Sequence, residues 1–328
     1  MFMRKTVFFL FSFALCSLAC AFPLNAARAA KRASKSPATV PAKTVIPPNM
    51  PGFCIFGAQS GKPFGSDPAF KSVIWKSDVI YAGETHGQVK DHQAQLEVLK
   101  TLRIARGSKI AVGFEMLNTT LQPVLDDYAA GKMTEEEFLL KTNWVKDWGF
   151  DFSLYRPLFE FIIQNKLRAL ALNVPANVLG KVAGAGMAGL DTEDKKFLPE
   201  TVSVSKHAKY LEFLRASYTA RGDSAMAKLF DWDNHLASVA AWDEGMGSQI
   251  AAFANANPGW SVVVITGNAH IMYNAGLPAS VKSRTNKIRQ ASFYSANGAC
   301  PAVFPKEDKD TANYMWYIDH STGAANGK

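Results

Sequence analysis

The stretch DVIYAGETHGQVKDHQAQL, residues 78–96, places a short apolar run, a polar turn and the start of a helical pattern in direct succession. We predict a strand over Asp78–Ala82 and a helix over Asp91–Arg106, in which three leucines recur at helical spacing. The turn between them carries Glu84 and His86. In open α/β sheets, ligands bind beyond the carboxyl ends of the strands, so this turn is a candidate site.

The same alternation recurs along the chain. Further strands are predicted at residues 110–114, 168–172, 262–266, 288–294 and 314–318, and a helix at 154–166. The run 262–266 is rich in β-branched residues and is typical of a strand buried on both faces of a parallel sheet. The sequence therefore predicts an α/β fold with a mainly parallel central sheet flanked by helices.

Composition divides the chain into segments. Residues 1–29 have the basic start, apolar run and small-x-small ending of an export signal, and residues 30–51 have the Ala/Pro/Lys/Ser composition of a disordered tether. No strand pattern is found between residues 176 and 253, which predicts a smaller all-helical insertion. The α/β core domain is then formed by residues 52–175 and 254–328.

The export signal predicts a periplasmic or outer-membrane-associated protein. Ser17-Leu18-Ala19 precedes Cys20 in an imperfect lipobox, so acylation of Cys20 is an alternative to cleavage after Ala29. Export to an oxidising compartment would let Cys54 and Cys300 form a disulfide, although the sequence leaves this pairing open.

The positive charge is concentrated in the first segments. The formal net charge is +8, and residues 1–49 carry seven Lys or Arg and no acidic residue, so the remainder is close to neutral at +1. This balance argues against a nucleic-acid-binding face.

Polar side chains follow three of the predicted strands. Glu84 and His86 follow the first, Glu115 the second and His270 the third, and each histidine ends a Gly-x-x-His pattern. Histidine and carboxylate groups can bind a divalent metal, or a glutamate can act as a base toward metal-bound water. The alternative is that the histidines are hydrogen-bonded core or capping residues.

A second group of candidate residues surrounds Tyr155. A tyrosinate oxygen suits ferric iron and is a known haem ligand, and the adjacent Arg156 can pair with a haem propionate. His92 lies on the sheet-facing side of its helix, where it either faces the same cleft or caps the helix. For the surrounding Trp and Phe residues, core packing is the preferred explanation.

The chain lacks several catalytic signatures. The patterns G-x-S-x-G, G-x-x-x-x-G-K and G-x-G-x-x-G do not occur, so no activated nucleophile or nucleotide loop is predicted. The sequence favours binding over catalysis for this reason.

Six motifs together resemble one protein family. In chain order they are GETHGQVKDHQAQ, FEMLNTTLQPVLDDY, WGFDFSLYRP, ALNVP, WDEGMG and GNAH, spread over about Tyr81 to Gly276. They resemble the ChaN-type haem-binding lipoproteins of the Tiki superfamily.

The resemblance implies an exported haem-binding protein for haem and iron uptake, with paired haems at a homodimer interface and a membrane-embedded receptor as a further partner. It implies that Tyr155 is the axial haem ligand, with Arg156, His86, His92 and His270 as further haem-binding residues. In the wider superfamily, which includes erythromycin-esterase-like enzymes, Glu84, His86, Glu115 and His270 match positions of metal-dependent hydrolysis. A hydrolase is therefore the alternative function.

Overall fold

The computed structural model describes residues 53–64, 67–220, 231–285 and 287–321. The predicted export signal, the tether and Cys20 lie outside these residues. Within the described part of the chain, no helix is both long enough and apolar enough to cross a membrane.

A seven-stranded sheet forms the centre of the molecule. Its strands are β1 Phe53–Gly57, β2 Val79–Glu84, β3 Ile110–Asn118, β4 Arg168–Asn173, β5 Ser261–Gly267, β6 Gln290–Asn297 and β7 Tyr314–Ile318. Their order across the sheet is β1-β7-β6-β2-β5-β3-β4, with β1 antiparallel to β7 and the other neighbours parallel. The predicted α/β fold with a mainly parallel sheet is confirmed.

The helices connect the strands and cover the sheet. They are α1 Asp67–Lys76, α2 Val89–Arg106, α3 Gln122–Ala129, α4 Glu135–Thr142, α5 Trp144–Asp147, α6 Arg156–Asn165, α7 Ala176–Ala185, α8 Thr192–Lys195, α9 Ala208–Thr219, α10 Trp232–Ala256 and α11 Leu277–Arg284. Short 3₁₀ helices occupy Thr119–Leu121, Phe152–Leu154, Met187–Gly189, Asn268–Asn274 and Lys306–Asp308.

An apolar core lies on each face of the sheet, and the side chains of β2 alternate between the two. Ile80 and Ala82 point to the face packed against α1, α2 and α6, and Val79 and Tyr81 point to the face packed against α10 and α11. Successive residues of a strand face opposite sides, so a central strand covered on both sides must be apolar throughout. All six residues of β2 are accordingly buried.

The described residues between 176 and 253 form helices and contain no strand, whereas residues 221–230 are outside the description. The long helix α10 packs on the sheet through Met246 and Ile250, and it continues to Ala256. The predicted boundary at residue 253 therefore falls inside one helix, and the proposed domain division stays a prediction.

Two local differences from the predicted elements have simple causes. β1 was not predicted, because it is an edge strand of five residues whose neighbour β7 is distant in sequence. The helix predicted from Leu154 begins at Arg156 instead, after a 3₁₀ turn over Phe152–Leu154 and with a proline in its first turn.

A disulfide joins Cys54 in β1 to Cys300 after β6, with the two Cα atoms 5.5 Å apart and a sequence separation of 246 residues. A covalent link over so long a segment restricts the unfolded chain strongly. The bond thus secures the edge of the sheet that β1 and β7 form.

We expect reduction of this disulfide to lower the free energy of unfolding by about 3 kcal/mol, because the unfolded chain regains the freedom of a long segment. Urea unfolding with and without dithiothreitol measures the change. A variant with both cysteines replaced by alanine is the control and should not respond to the reductant. If the wild type unfolds identically in both conditions, Cys54 and Cys300 do not form the disulfide.

Candidate functional site

The carboxyl ends of β2, β5 and β3 bring two acidic residues to adjoining positions. Glu84 is the last residue of β2 and pairs in register with Gly267 at the end of β5. Glu115 lies in β3, on the other side of β5, directly after the residue that pairs with Ile265. Both carboxylates are fully buried, so each needs hydrogen-bond donors or positive charge close by.

The Glu84 carboxylate receives three hydrogen bonds. Oε1 accepts from the Tyr155 hydroxyl at 2.8 Å and contacts His86 Nδ1 at 2.7 Å, and Oε2 accepts from Gln95 Nε2 at 2.7 Å. Burial raises the pKa of Glu84, but the nearby His92 and His86 and these hydrogen bonds outweigh it, so the pKa lies below its usual value. Glu84 is therefore an ionised acceptor inside the protein.

Tyr155 is enclosed around this carboxylate. Its side chain is fully buried, with ring centroids 4.3 Å from His92 and 5.4 Å from Trp144. Burial and the negative charge of Glu84 raise the pKa of Tyr155 well above its usual value, so the phenol stays protonated and donates.

Arg156 occupies a different environment. Its guanidinium forms two hydrogen bonds to Glu135 at 2.6 and 2.8 Å, in a partly exposed ion pair. This ion pair joins Arg156 to α4, and the guanidinium also lies 6.0 Å from the centroid of the Phe152 ring.

The Glu115 carboxylate is held by β5. Oε2 accepts from the Gly267 backbone N–H at 2.6 Å and from the Thr266 hydroxyl at 2.7 Å, while Oε1 lies 3.4 Å from His270 Nε2. Burial raises its pKa, but the charge and hydrogen bond of His270, the charge of His86 and the Gly267 N–H prevail and lower it to about 2.

His270 lies between two carboxylates. Its Nδ1 is 2.6 Å from Asp243 Oδ1, and the other Asp243 oxygen accepts from the Tyr210 hydroxyl at 3.0 Å. Burial lowers the pKa of His270, but Glu115 and Asp243 together raise it to about 10. The ring is consequently an imidazolium near neutral pH.

His86 connects the two halves of the cluster. Its Nδ1 contacts Glu84, and its Nε2 would lie 2.9 Å from a Cβ atom at Gly267, next to Glu115. Glycine at position 267 is required because a side chain there would collide with the His86 ring. The rings of Trp148 and Phe150 enclose the outer side of this histidine, with centroids 4.8 and 5.2 Å away.

His92 lies beside the Glu84 half of the cluster. Its Nδ1 is 3.0 Å from Gln95 Oε1, and it is 3.5 Å from Glu84 Oε2. Its Nε2 is buried and has no hydrogen-bond partner among the residues that the structure describes. A buried polar atom of this kind is a position at which a bound group or a water can be recognised.

The turn of residues 85–88 is braced from the carboxyl end of the chain. Asp91 accepts the Thr85 backbone N–H at 2.7 Å and contacts His320 Nε2 at 2.7 Å. Lys90 also donates to the Asp319 carbonyl. The residues after β7 therefore help to fix the turn that carries His86.

The structure thus brings together Glu84, His86, His92, Glu115, Tyr155 and His270. It adds Gln95, Asp243 and Tyr210, which the sequence analysis did not single out as site residues. Asp243 lies in the WDEGMG motif, and an acidic residue on the buried side of a long helix was the available signal. Tyr210 and Gln95 have no distinguishing local pattern.

The arrangement is suited to holding charge and protons. Two ionised carboxylates and an imidazolium lie in a water-excluded environment, where electrostatic interactions are strong. Across the described ranges, no group of three or more His, Cys, Asp or Glu side chains has a geometry that could hold a metal ion. The divalent-metal prediction therefore gains no support from the geometry.

Fold and site together define an α/β protein with a charged site beyond the carboxyl ends of its central parallel strands. The sequence model of the family described as "Haem-binding uptake, Tiki superfamily, ChaN" matches residues 72–281. The chain belongs to this family.

One solved structure shares the fold of this chain, and a second gives a weaker superposition. A structure titled "Cofacial heme binding to ChaN of Campylobacter jejuni" superposes with a TM-score of 0.61 and 18% identity, covering 81% of this chain and 97% of that one. An erythromycin esterase mutant, EreC in its open conformation, gives a TM-score of 0.43 and 11% identity, covering 70% of this chain and 72% of that one.

A sequence relative comes from Arabidopsis thaliana. It is "Protein RETICULATA-RELATED 5, chloroplastic", 24% identical over 272 residues. The alignment covers 75% of this chain and 35% of the relative, so this chain spans about a third of that protein's length.

Proposed function

We propose that this protein is an exported haem-binding protein that takes part in haem and iron uptake. The observation that carries the proposal is the family match over residues 72–281. The sequence features of the first 29 residues support export to the periplasm or the outer membrane. A homodimer with paired haems and a membrane-embedded receptor are parts of the same proposal.

The described conformation does not fit a haem iron at Tyr155. The phenol is fully buried and its hydrogen bond is used by Glu84, which leaves the oxygen no approach for a flat macrocycle. Coordination through Tyr155 would require that hydrogen bond to break and the aromatic rings around it to separate. The role of Tyr155 as axial ligand therefore stays a prediction, as do the propionate contact of Arg156 and the haem contacts of His86, His92 and His270.

We expect ferric haem to give a saturable Soret band when titrated into the purified full chain, and Tyr155→Phe to change the position of that band if this tyrosine is the ligand. Absorption spectroscopy measures both. Tyr128→Phe is the matched control, because Tyr128 lies in the same aromatic cluster, 4.2 Å from Phe138, and should leave the band unchanged.

The two parts of this experiment fail separately. Absence of saturable binding by the wild type would overturn the haem proposal. An unchanged band in Tyr155→Phe would retain haem binding and remove Tyr155 as the ligand.

A second candidate function is hydrolysis at the buried cluster, and a specific observation favours it. The Glu84–His86 contact holds the imidazole in the way that a carboxylate orients a general base, with the other ring nitrogen directed toward Gly267 and Glu115. His270 would supply positive charge on the far side of Glu115.

Hydrolysis is tested with ester and peptide substrates in the presence and absence of a chelator, together with elemental analysis of the protein. Glu115→Gln and His86→Gln should each abolish any turnover, and the exposed His207→Gln should not. A protein that contains no metal and turns over none of the substrates would reject this candidate.

A further inference from the structure

A cavity of about 710 Å³ lies at the amino-terminal ends of β6 and β7, whereas the buried cluster lies at the carboxyl ends of β2, β5 and β3. Its wall includes Gln290 at the start of β6, Asn313 directly before β7, and Tyr273 and Asn274 of the 3₁₀ helix Asn268–Asn274. The carboxylates and histidines of the candidate site are not among its lining residues. The cavity is therefore a separate feature of the molecule.

Hydrogen bonds from inside the protein orient the carboxamides of this wall. Asn313 Oδ1 accepts the Ser292 backbone N–H at 3.0 Å, which fixes its oxygen inward and leaves its NH₂ group for the cavity. Gln290 Oε1 accepts from the Tyr81 hydroxyl at 2.5 Å. Burial holds the pKa of Tyr81 well above its usual value, so this phenol is a donor and the Gln290 oxygen is its acceptor.

Asn274 is held in the same way. Its Oδ1 accepts from the Ser292 hydroxyl at 2.6 Å, so a third carboxamide has its oxygen directed into the protein. Because the oxygens of these three lining carboxamides accept hydrogen bonds from the protein, their NH₂ groups remain as donors for a ligand. Such a surface suits a ligand that is rich in acceptors.

The charged side chains that line the cavity also favour a ligand of this kind. Lys76 and Arg289 line it, and Asp310 is the sole carboxylate among the described lining residues. Arg289 is also 3.2 Å from Asp78, which holds the guanidinium in place without filling all its donors. The side chains thus favour negative charge in the ligand.

The backbone at one wall adopts an uncommon conformation. Tyr273 and Asn274 both have left-handed dihedrals, with φ of 56° and 52°, although neither is glycine. A bulky residue in this region is unfavourable unless its surroundings hold it. The Tyr273 ring is stacked on His207, 5.3 Å away and tilted by 13°, and both rings line the cavity.

We propose that this cavity binds a small organic anion that carries a phosphate or carboxylate group on a polar body. Its volume lies within the roughly 300–1,000 Å³ of sites for small organic ligands, which is more than an inorganic ion needs. The anionic group contacts Lys76 and Arg289, and the polar body accepts hydrogen bonds from Asn274, Gln290 and Asn313. The site is independent of haem binding.

Isothermal titration of the full chain at fixed ionic strength tests the proposal with glucose 6-phosphate, citrate and glucose. At least one anion should bind with a Kd below about 1 mM and at least about tenfold more tightly than glucose. The comparison of the two anions shows whether phosphate or carboxylate is preferred. If neither anion binds more tightly than the neutral sugar, the proposal is wrong.

Two variants assign the binding to this cavity. Asn313→Asp keeps the inward oxygen and replaces the donor by a negative oxygen, and we expect roughly tenfold weaker binding or more. Lys76→Met removes one exposed charge and should weaken binding roughly threefold. Lys282→Met, an exposed lysine in α11, is the control and should bind as the wild type does. Wild-type affinity in both cavity variants would overturn the proposal.

Discussion

Replacing Glu84 by alanine is expected to lower the free energy of unfolding by about 3–5 kcal/mol. The carboxylate is fully buried and accepts from Tyr155 and Gln95 while it contacts His86. Its removal leaves a phenol, an amide and an imidazole in a water-excluded space without their acceptor. Denaturant unfolding followed by tryptophan fluorescence measures the loss.

Glu97→Ala is the matched control for this prediction. Glu97 pairs with Lys100 at 2.7 Å on the exposed side of the same helix α2 that carries Gln95. Exposed ion pairs contribute little, so the change should stay within about 0.5 kcal/mol. A loss below about 1 kcal/mol in Glu84→Ala would show that Glu84 is not the shared acceptor.

A double-mutant cycle separates the Tyr155 contribution. Tyr155→Phe alone removes one donor and should cost about 1 kcal/mol, because the ring and its packing are kept. If the hydroxyl of Tyr155 bonds to Glu84, adding Tyr155→Phe to Glu84→Ala should cost less than it does in the wild type. Additive effects would mean that the two side chains do not interact.

The free energy of unfolding should be highest between about pH 4.5 and 6.5, the usual pKa values of glutamate and histidine. The folded protein raises the pKa of His270 from 6.5 to about 10. This contribution is complete below pH 6.5 and is lost as the pH rises to 10, with an expected loss on the order of 4 kcal/mol.

Acid acts through buried carboxylates whose pKa is lowered on folding, among them Glu84 and Glu115. The pKa of Glu115 falls from 4.5 to about 2 on folding, so its contribution is complete above pH 4.5 and is lost as the pH falls to 2. Asp243 opposes this trend in acid, because burial raises its pKa above the usual value and its protonated form favours the folded state. The loss of stability above pH 6.5 therefore reports the ionisation of His270 more directly than the loss in acid reports that of Glu115.

The free energy of unfolding of the wild type and of His270→Gln, measured between pH 6 and 10, tests this loss of stability. The variant should be less stable at pH 6, and its stability should depend less on pH. Equal slopes in the wild type and in His270→Gln would contradict the placement of His270 between two carboxylates.

The strands that carry the site were predictable because burial on both faces leaves a local signal. β2 and β5 are both mostly apolar and fully buried; Gly83 is the second-last residue of β2, Gly267 is the last residue of β5, and polar residues follow each strand. Parallel strands that are neighbours must bring their carboxyl ends to the same edge, so the convergence of Glu84, Glu115 and His270 follows from the strand pattern together with the strand order. The order itself, with β5 between β2 and β3, is not encoded in any local window.

Contacts between segments that are distant in sequence could not be predicted from local patterns. Asp243 in α10 contacts His270, and Tyr210 in α9 contacts Asp243, across sequence separations of 27 and 33 residues, so no short spacing relates them. Asp91 and His320 meet in the same way, from α2 and from the residues after β7. Tyr155 was singled out for its chemistry, but only the packing of its ring showed that its oxygen is enclosed.

Glu84, Glu115, His86 and His270 form one buried charged cluster in this structure. Nuclear magnetic resonance of the histidine rings is the most direct test of this arrangement. Long-range ¹⁵N–¹H spectra of uniformly labelled protein, recorded from pH 6 to 10.5 with His270→Gln for assignment, report the protonation of both ring nitrogens. We predict that His270 remains doubly protonated through neutral pH and titrates with a pKa of about 10. A His270 ring that loses its proton near pH 6.5 would contradict the cluster.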